Sequence, residues 1–108
     1  MRPIAPQCKS AVFRSKLEER YAQHLEGLLA RGEILGFRYE AVQLRLGDGA
    51  TYKPDFFVTY PDRMEFHEVK GFRREASIAR FKVAKELYWQ FGFVMVTWRK
   101  YEGTWFLQ

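Results

Sequence analysis

Apolar residues recur at helical spacing between residues 15 and 31, where Leu17, Tyr21, Leu25, Leu28 and Leu29 form one stripe. Ser15-Lys16-Leu17-Glu18 opens that helix as a capping box, and Gly32 supplies its stop. The period then changes to two. Residues 37–46 alternate as a strand does, and Gly47-Asp48-Gly49 is a hairpin turn signal. A second strand is expected over 51–60, with Pro54 marking an edge or a kink. Tyr60-Pro61-Asp62-Arg63 turns the chain into a third strand over 64–70, which Gly71 ends. Helical spacing resumes over 75–90, with Ile78, Phe81, Val83, Ala84 and Leu87 inward. Residues 91–98 are nearly continuously apolar, the mark of a strand covered on both faces. Residues 101–107 add a short last strand, and 1–14, with Pro3 and Pro6, read as an N-terminal arm.

The order helix, three meandering strands, helix, strand is that of an α/β fold. The step from the third strand through the second helix to the fourth calls for a parallel crossover. The expected architecture is a mixed sheet flanked by helices, in one domain over 1–108. No repeat or linker interrupts it.

Net charge is +5, and its distribution says more than its sum. Residues 70–100 hold eight basic and two acidic side chains, a net +6, which leaves −1 for the remainder. A polyanion held by this segment would explain the layout, and so would a solvated helix face. The single cysteine, Cys8, has no companion for a disulfide or a zinc site. No apolar stretch approaches a membrane span, residues 1–10 carry no apolar run, and a cytoplasmic location is expected.

The chemistry-bearing segments are Tyr52-Lys53-Pro54-Asp55-Phe56 and His67-Glu68-Val69-Lys70-Gly71. A turn centred on Pro61-Asp62 sets Asp55 opposite Glu68 and Phe57 opposite Phe66. Opposed carboxylates repel across a bare sheet, and a divalent cation between them removes that cost. Hard oxygen ligands suit Mg²⁺ or Mn²⁺, with the Val69 carbonyl as a further ligand. Lys70, two residues from Glu68, points to the same face, where a cation orients attacking water or stabilises developing charge. On the first helix Glu18 shares a face with Ala22, Leu25 and Leu29, which brings it over the sheet edge. The competing role for Glu18 is completion of the cap with Ser15. His67 points away from Glu68 and reads as structural or as a rim residue. His24, with no metal-type partner one turn on, reads as surface. Trp89, Trp98 and Trp105 read as core or interface.

Ser15-x-Leu17-Glu18, Tyr52-x-Pro54-Asp55-Phe56 and Glu68-Val69-Lys70-Gly71 together resemble the PD-(D/E)XK nucleases. The likeness is to Holliday junction resolvases of the phage endonuclease I type and related small phage or prophage proteins, over residues 15–96. It implies a restriction-endonuclease-like αβββαβ core, metal held by Glu18, Asp55 and Glu68, and a catalytic Lys70. It also implies branched DNA as substrate and, since such resolvases are dimers, a homodimer. Lys53, Arg73, Arg74 and Lys82 are the expected DNA contacts. Arg80 and Lys85 lie too far round the second helix from Lys82 for all three to face one groove. Two alternatives stay open: a nicking, flap or mismatch-directed nuclease of the same fold, and a non-catalytic nucleic-acid-binding module.

Overall fold

The computed structural model describes residues 13–71 and 75–108. Helix α1 spans Lys16–Ala30. Strands β1 (Gly36–Tyr39), β2 (Leu44–Gly47), β3 (Ala50–Tyr52), β4 (Phe56–Thr59) and β5 (Met64–Val69) follow. Helix α2 (Glu75–Leu87) leads to β6 (Gly92–Arg99) and β7 (Thr104–Leu107). The fold is mixed α/β: a five-stranded mixed sheet in the order β1-β4-β5-β6-β7, and a separate hairpin of β2 and β3. Most of the N-terminal arm lies outside the described residues, as do Arg73 and Arg74.

Helix α1 ends where its capping residues say it should. The Ser15 hydroxyl oxygen accepts the Glu18 N–H at 3.1 Å. At the other end Gly32 takes φ 77°. Its N–H donates to the Leu29 carbonyl at 3.1 Å, and the Glu33 N–H donates to the Leu28 carbonyl at 2.9 Å. These two bonds close a Schellman motif.

The sheet carries a core on each face. Tyr21, Ala22 and Leu25 of α1 pack with Phe37, Phe56, Val58, Val69 and Val96 on one side. Leu44, Tyr52, Phe66, Phe81, Ala84 and Phe93 form the core under α2 on the other. The alternation of Phe93 and Val96 between these clusters explains why 91–98 reads as continuously apolar. Strands β5 and β6 pair in parallel across α2, as expected.

The register expected for the β4–β5 hairpin holds. Phe57 faces Phe66 and Phe56 faces His67. The four-residue loop closes with the Tyr60 N–H on the Arg63 carbonyl at 2.8 Å. Pro61 is accommodated because the loop is wider than a two-residue turn.

The first two expected strands, 37–46 and 51–60, each break in two. Glu40 adopts φ 49°, a left-handed conformation that ends a strand. One residue past the position opposite it, Pro54 has no N–H to give a ladder. One bond, from the Glu40 N–H to the Asp55 carbonyl at 2.9 Å, bridges the break. Beyond it β2 and β3 leave the main sheet and pack on α2 through Leu44 and Tyr52. Their turn is tight: Asp48 and Gly49 take φ 48° and 79° between the paired Gly47 and Ala50.

Helix α2 buries a narrower face than its sequence suggests. Phe81 and Ala84 are buried, whereas Val83 and Leu87 are exposed. Val83 stands about 200° around the helix from Phe81, so the stripe that meets the sheet cannot include both. His24, expected on the surface, is half-buried with its ring stacked on Tyr21, centroids 5.4 Å apart. Trp98 and Trp105 pack edge to face at 5.0 Å, while Trp89 is exposed. Among the described residues no helix is long and apolar enough to cross a membrane.

Candidate active site

Three carboxylates meet where the meander breaks. Glu18 sits in the first turn of α1, Asp55 just before β4, and Glu68 near the end of β5. Their exposures are 1%, 0% and 3%. Such burial is costly for ionised groups unless each is partnered.

The partners come from backbone and phenols. Asp55 Oδ2 accepts the Val69 N–H at 2.8 Å. Tyr39, at the end of β1, donates its hydroxyl to Glu18 Oε1 at 2.6 Å. Tyr52, at the end of β3, donates its hydroxyl to Glu68 Oε1. The break in the meander is what allows this. It leaves Tyr39 on the α1 side and carries Tyr52 to the α2 side, so the two phenols approach from opposite directions.

Arg14 completes the cluster. Its Nη2 lies 3.2 Å from Asp55 Oδ1 and 3.9 Å from Glu18 Oε2. Its Nε lies 2.6 Å from Glu40 Oε2. One half-exposed guanidinium thus spans three carboxylates.

The electrostatics follow from burial and crowding of like charge. Burial pushes the Asp55 carboxyl well above the ordinary carboxylate range, and the charges of Glu68 and Glu18 push it further. The Val69 N–H and Arg14 offset only part of this. The Tyr39 hydroxyl is pushed up to about 12 by burial and its bond to Glu18. Burial and Glu68 also raise Tyr52. Both phenols are therefore held as donors.

Glu18, Asp55 and Glu68 are brought together as the sequence suggests. The bond that Ser15 makes to the Glu18 backbone leaves the Glu18 carboxylate for Tyr39, so capping is not its whole role. Val69 contributes its N–H to Asp55, and its side chain is buried in the α1-side core. Lys70 is exposed and lines a cleft of about 360 Å³ with Lys82 and Lys85. Glu68 opens instead onto a second cleft of about 290 Å³, together with Lys53 and Arg80. The separation of Arg80 from Lys82 agrees with their positions around α2. His67 is fully buried, with its ring nitrogens 2.6 Å from the Tyr21 hydroxyl and 2.8 Å from Glu65, a structural role.

All-oxygen donors of this kind suit a hard divalent cation. Among the described residues, however, no group of three or more His, Cys, Asp or Glu side chains is gathered as a metal site. Arg14 reaches in between Glu18, Asp55 and Glu40 and offsets their charge.

Arg14, Tyr39 and Glu40 are site residues that the sequence does not announce, and Tyr52, though part of the 52–56 segment, has no role assigned by it. Arg14 stands one helical turn before Glu18, and Tyr52 stands three residues before Asp55, which are the only local signals. Nothing in the sequence marks Tyr39 or Glu40, because the break that aims them is tertiary.

Compared with known proteins, the chain matches no family model, no curated protein and no solved structure.

Proposed function

We propose that this chain is a metal-dependent endodeoxyribonuclease with the restriction-endonuclease-like core of the PD-(D/E)XK nucleases. Its substrate on this reading is branched DNA, cut as a Holliday junction resolvase cuts, in phage or prophage DNA metabolism in the cytoplasm. One observation carries it: three almost fully buried carboxylates from three elements meet beside a strand end that bears Lys70. A stable fold has little reason to bury like charges together, because each raises the cost of the others. The order of α1, the β1, β4 and β5 meander, α2 and β6 also supports that core.

Glu18, Asp55 and Glu68 would hold Mg²⁺ or Mn²⁺. When bound, such an ion lowers the pKa of coordinated water and neutralises charge on the phosphate. The chain's own groups do the rest. Tyr39 and Tyr52 orient Glu18 and Glu68, and the Val69 N–H orients Asp55. Lys70, which lines the neighbouring cleft, would have to turn toward the carboxylates to present a cation to the attacking water and the developing negative charge. Lys53 and Lys82 contact backbone phosphates without reading sequence. Paired cuts across a junction require a second copy, so the reading carries a homodimer.

A second reading is favoured by the Arg14 contacts. If Arg14 is the permanent counter-ion of the cluster, the chain is a nucleic-acid-binding module and the carboxylates are structural. Cleavage of labelled four-way junction and matched duplex, with Mg²⁺, Mn²⁺ or EDTA, separates the two. The nuclease reading expects metal-dependent cutting that Asp55→Asn and Lys70→Ala each abolish while DNA binding persists. Equal cutting of both DNAs, or of nicked or flap substrates instead, keeps the chemistry and discards the junction. Binding without cutting in any metal selects the module.

A further inference from the structure

The cleft beside Glu68 has walls of a kind that the carboxylate cluster does not explain. Arg14, Lys53, Ser77 and Arg80 line its volume of about 290 Å³ together with Glu40, Tyr52 and Glu68. Arg14 is engaged with Glu40 and Asp55. Lys53 and Arg80 are exposed, and neither forms an ion pair with a described carboxylate. Both line the cleft, Lys53 from the segment before β4 and Arg80 from α2. Ser77 and Arg80 are three residues apart and so share a face of the helix. Ser77 lies in the first turn of the 13-residue α2. Backbone N–H groups there have no partner within the helix, and its dipole favours an anion.

The cleft thus carries two cations outside the carboxylate network, beside Glu40, which Arg14 holds, and Glu68, which accepts from Tyr52. A free anion entering it meets the repulsion of Glu68. A divalent cation held by Glu68 would remove that repulsion, and Lys53, Arg80 and the Ser77 hydroxyl would then be left to contact the phosphate. We propose that this cleft is a phosphate subsite in which Arg80, Lys53 and Ser77 hold a backbone phosphodiester next to the carboxylate cluster. This rests on the nuclease reading for its ligand, and it gives the strand a route between the first turn of α2 and the break at 53–55. It also gives Arg80 a role that its separation from Lys82 would otherwise deny it.

The test is equilibrium binding of a short fluorescein-labelled duplex, followed by anisotropy across a salt series in Mg²⁺, with Lys70→Ala as parent, which prevents cutting and leaves the three carboxylates intact. Adding Arg80→Ala or Lys53→Ala should weaken binding several-fold and lower the slope of log K against log salt by about 1 each. Arg38→Ala, at an exposed cation of β1, should change neither. Matching thermal melts establish that the variants are folded. Unchanged affinity and slope in both variants overturn the subsite, even if the wild type cleaves DNA. Reduced slopes with a wild type that cleaves nothing keep the subsite and remove the nuclease reading. No binding by the parent overturns both.

Discussion

Asp55→Asn should stabilise the metal-free protein. Asp55 is fully buried, and its carboxyl is raised by that burial and by Glu68 and Glu18. An unfolded aspartate ionises near pH 3.9. Above that, folding must bury a charge or take up a proton, and each pH unit costs about 1.4 kcal/mol while the folded carboxyl stays protonated. Asparagine keeps an oxygen for the Val69 N–H at almost the same volume and carries no charge. What it loses is attraction to Arg14, worth about 1 kcal/mol for a half-exposed guanidinium. The net gain at neutral pH is on the order of 2 kcal/mol, or roughly 10 °C in Tm. The sign with pH is set by the raised pKa. The wild type is favoured by acid and loses stability as pH rises through the folded pKa, so the advantage of the amide variant is present at neutral pH. That advantage fades as pH falls and vanishes below about 3.9, where both states hold the proton. Thermal and urea unfolding of both proteins in EDTA across this range measures it. A variant less stable at neutral pH, or a difference independent of pH, would refute the reasoning and make Asp55 a structural anchor for Arg14 and Val69. Saturating Mg²⁺ should reverse the ranking, because a ligand at 100 times its Kd adds about 2.7 kcal/mol to the protein that binds it.

The opposite sign is expected at Glu65, whose carboxyl is held down to about 2 by its bond to His67 and by Arg63. Its contribution is present above the ordinary glutamate pKa, near 4.3, and is lost as pH falls toward about 2. Glu65→Gln should therefore flatten the acid limb of the urea midpoint against pH, and an unchanged limb would count against the pair. Phe56 is fully buried against Tyr21, Phe37 and Tyr39 beside Asp55. Phe56→Ala should cost about 3–5 kcal/mol in urea unfolding, and a loss below about 1 would mean that this core does not set the strand. Gly92→Ala should be destabilising, since an added Cβ would stand 2.8 Å from Glu65 Cγ, and thermal melting with and without Glu65→Ala tests whether that contact is the cause.

Much of this was legible because the signals are local. Capping residues bound α1, period two marked the strands, and the loop at Pro61-Asp62 put Asp55 in line with Glu68. The continuous apolar run of β6 announced that both faces of the sheet would be covered. The inward face of α1 placed Glu18 on the buried side, where its carboxylate meets Asp55.

What stayed hidden depends on how the chain crosses itself. Residues 37–46 alternate without interruption and Pro54 marks no more than an edge or a kink in 51–60, so the left-handed turn at Glu40 that divides both strands is not announced. That division brings Tyr39 and Tyr52 to opposite sides of the carboxylates and opens the cleft between Lys53 and Arg80. The stripe on α2 was overread because helical spacing alone cannot say how wide a face the sheet will cover. Arg14, one turn before Glu18, spans three carboxylates that lie up to 41 residues away along the chain. The sequence by itself determined which residues carry charge, which faces are apolar and where each element starts and stops, since these are set within one turn or one strand pair. The tertiary structure alone decided that Arg14 and Glu40 join those carboxylates and that Lys70 lines a different cleft, because Coulomb energy and burial depend on distance in space and not on separation along the chain.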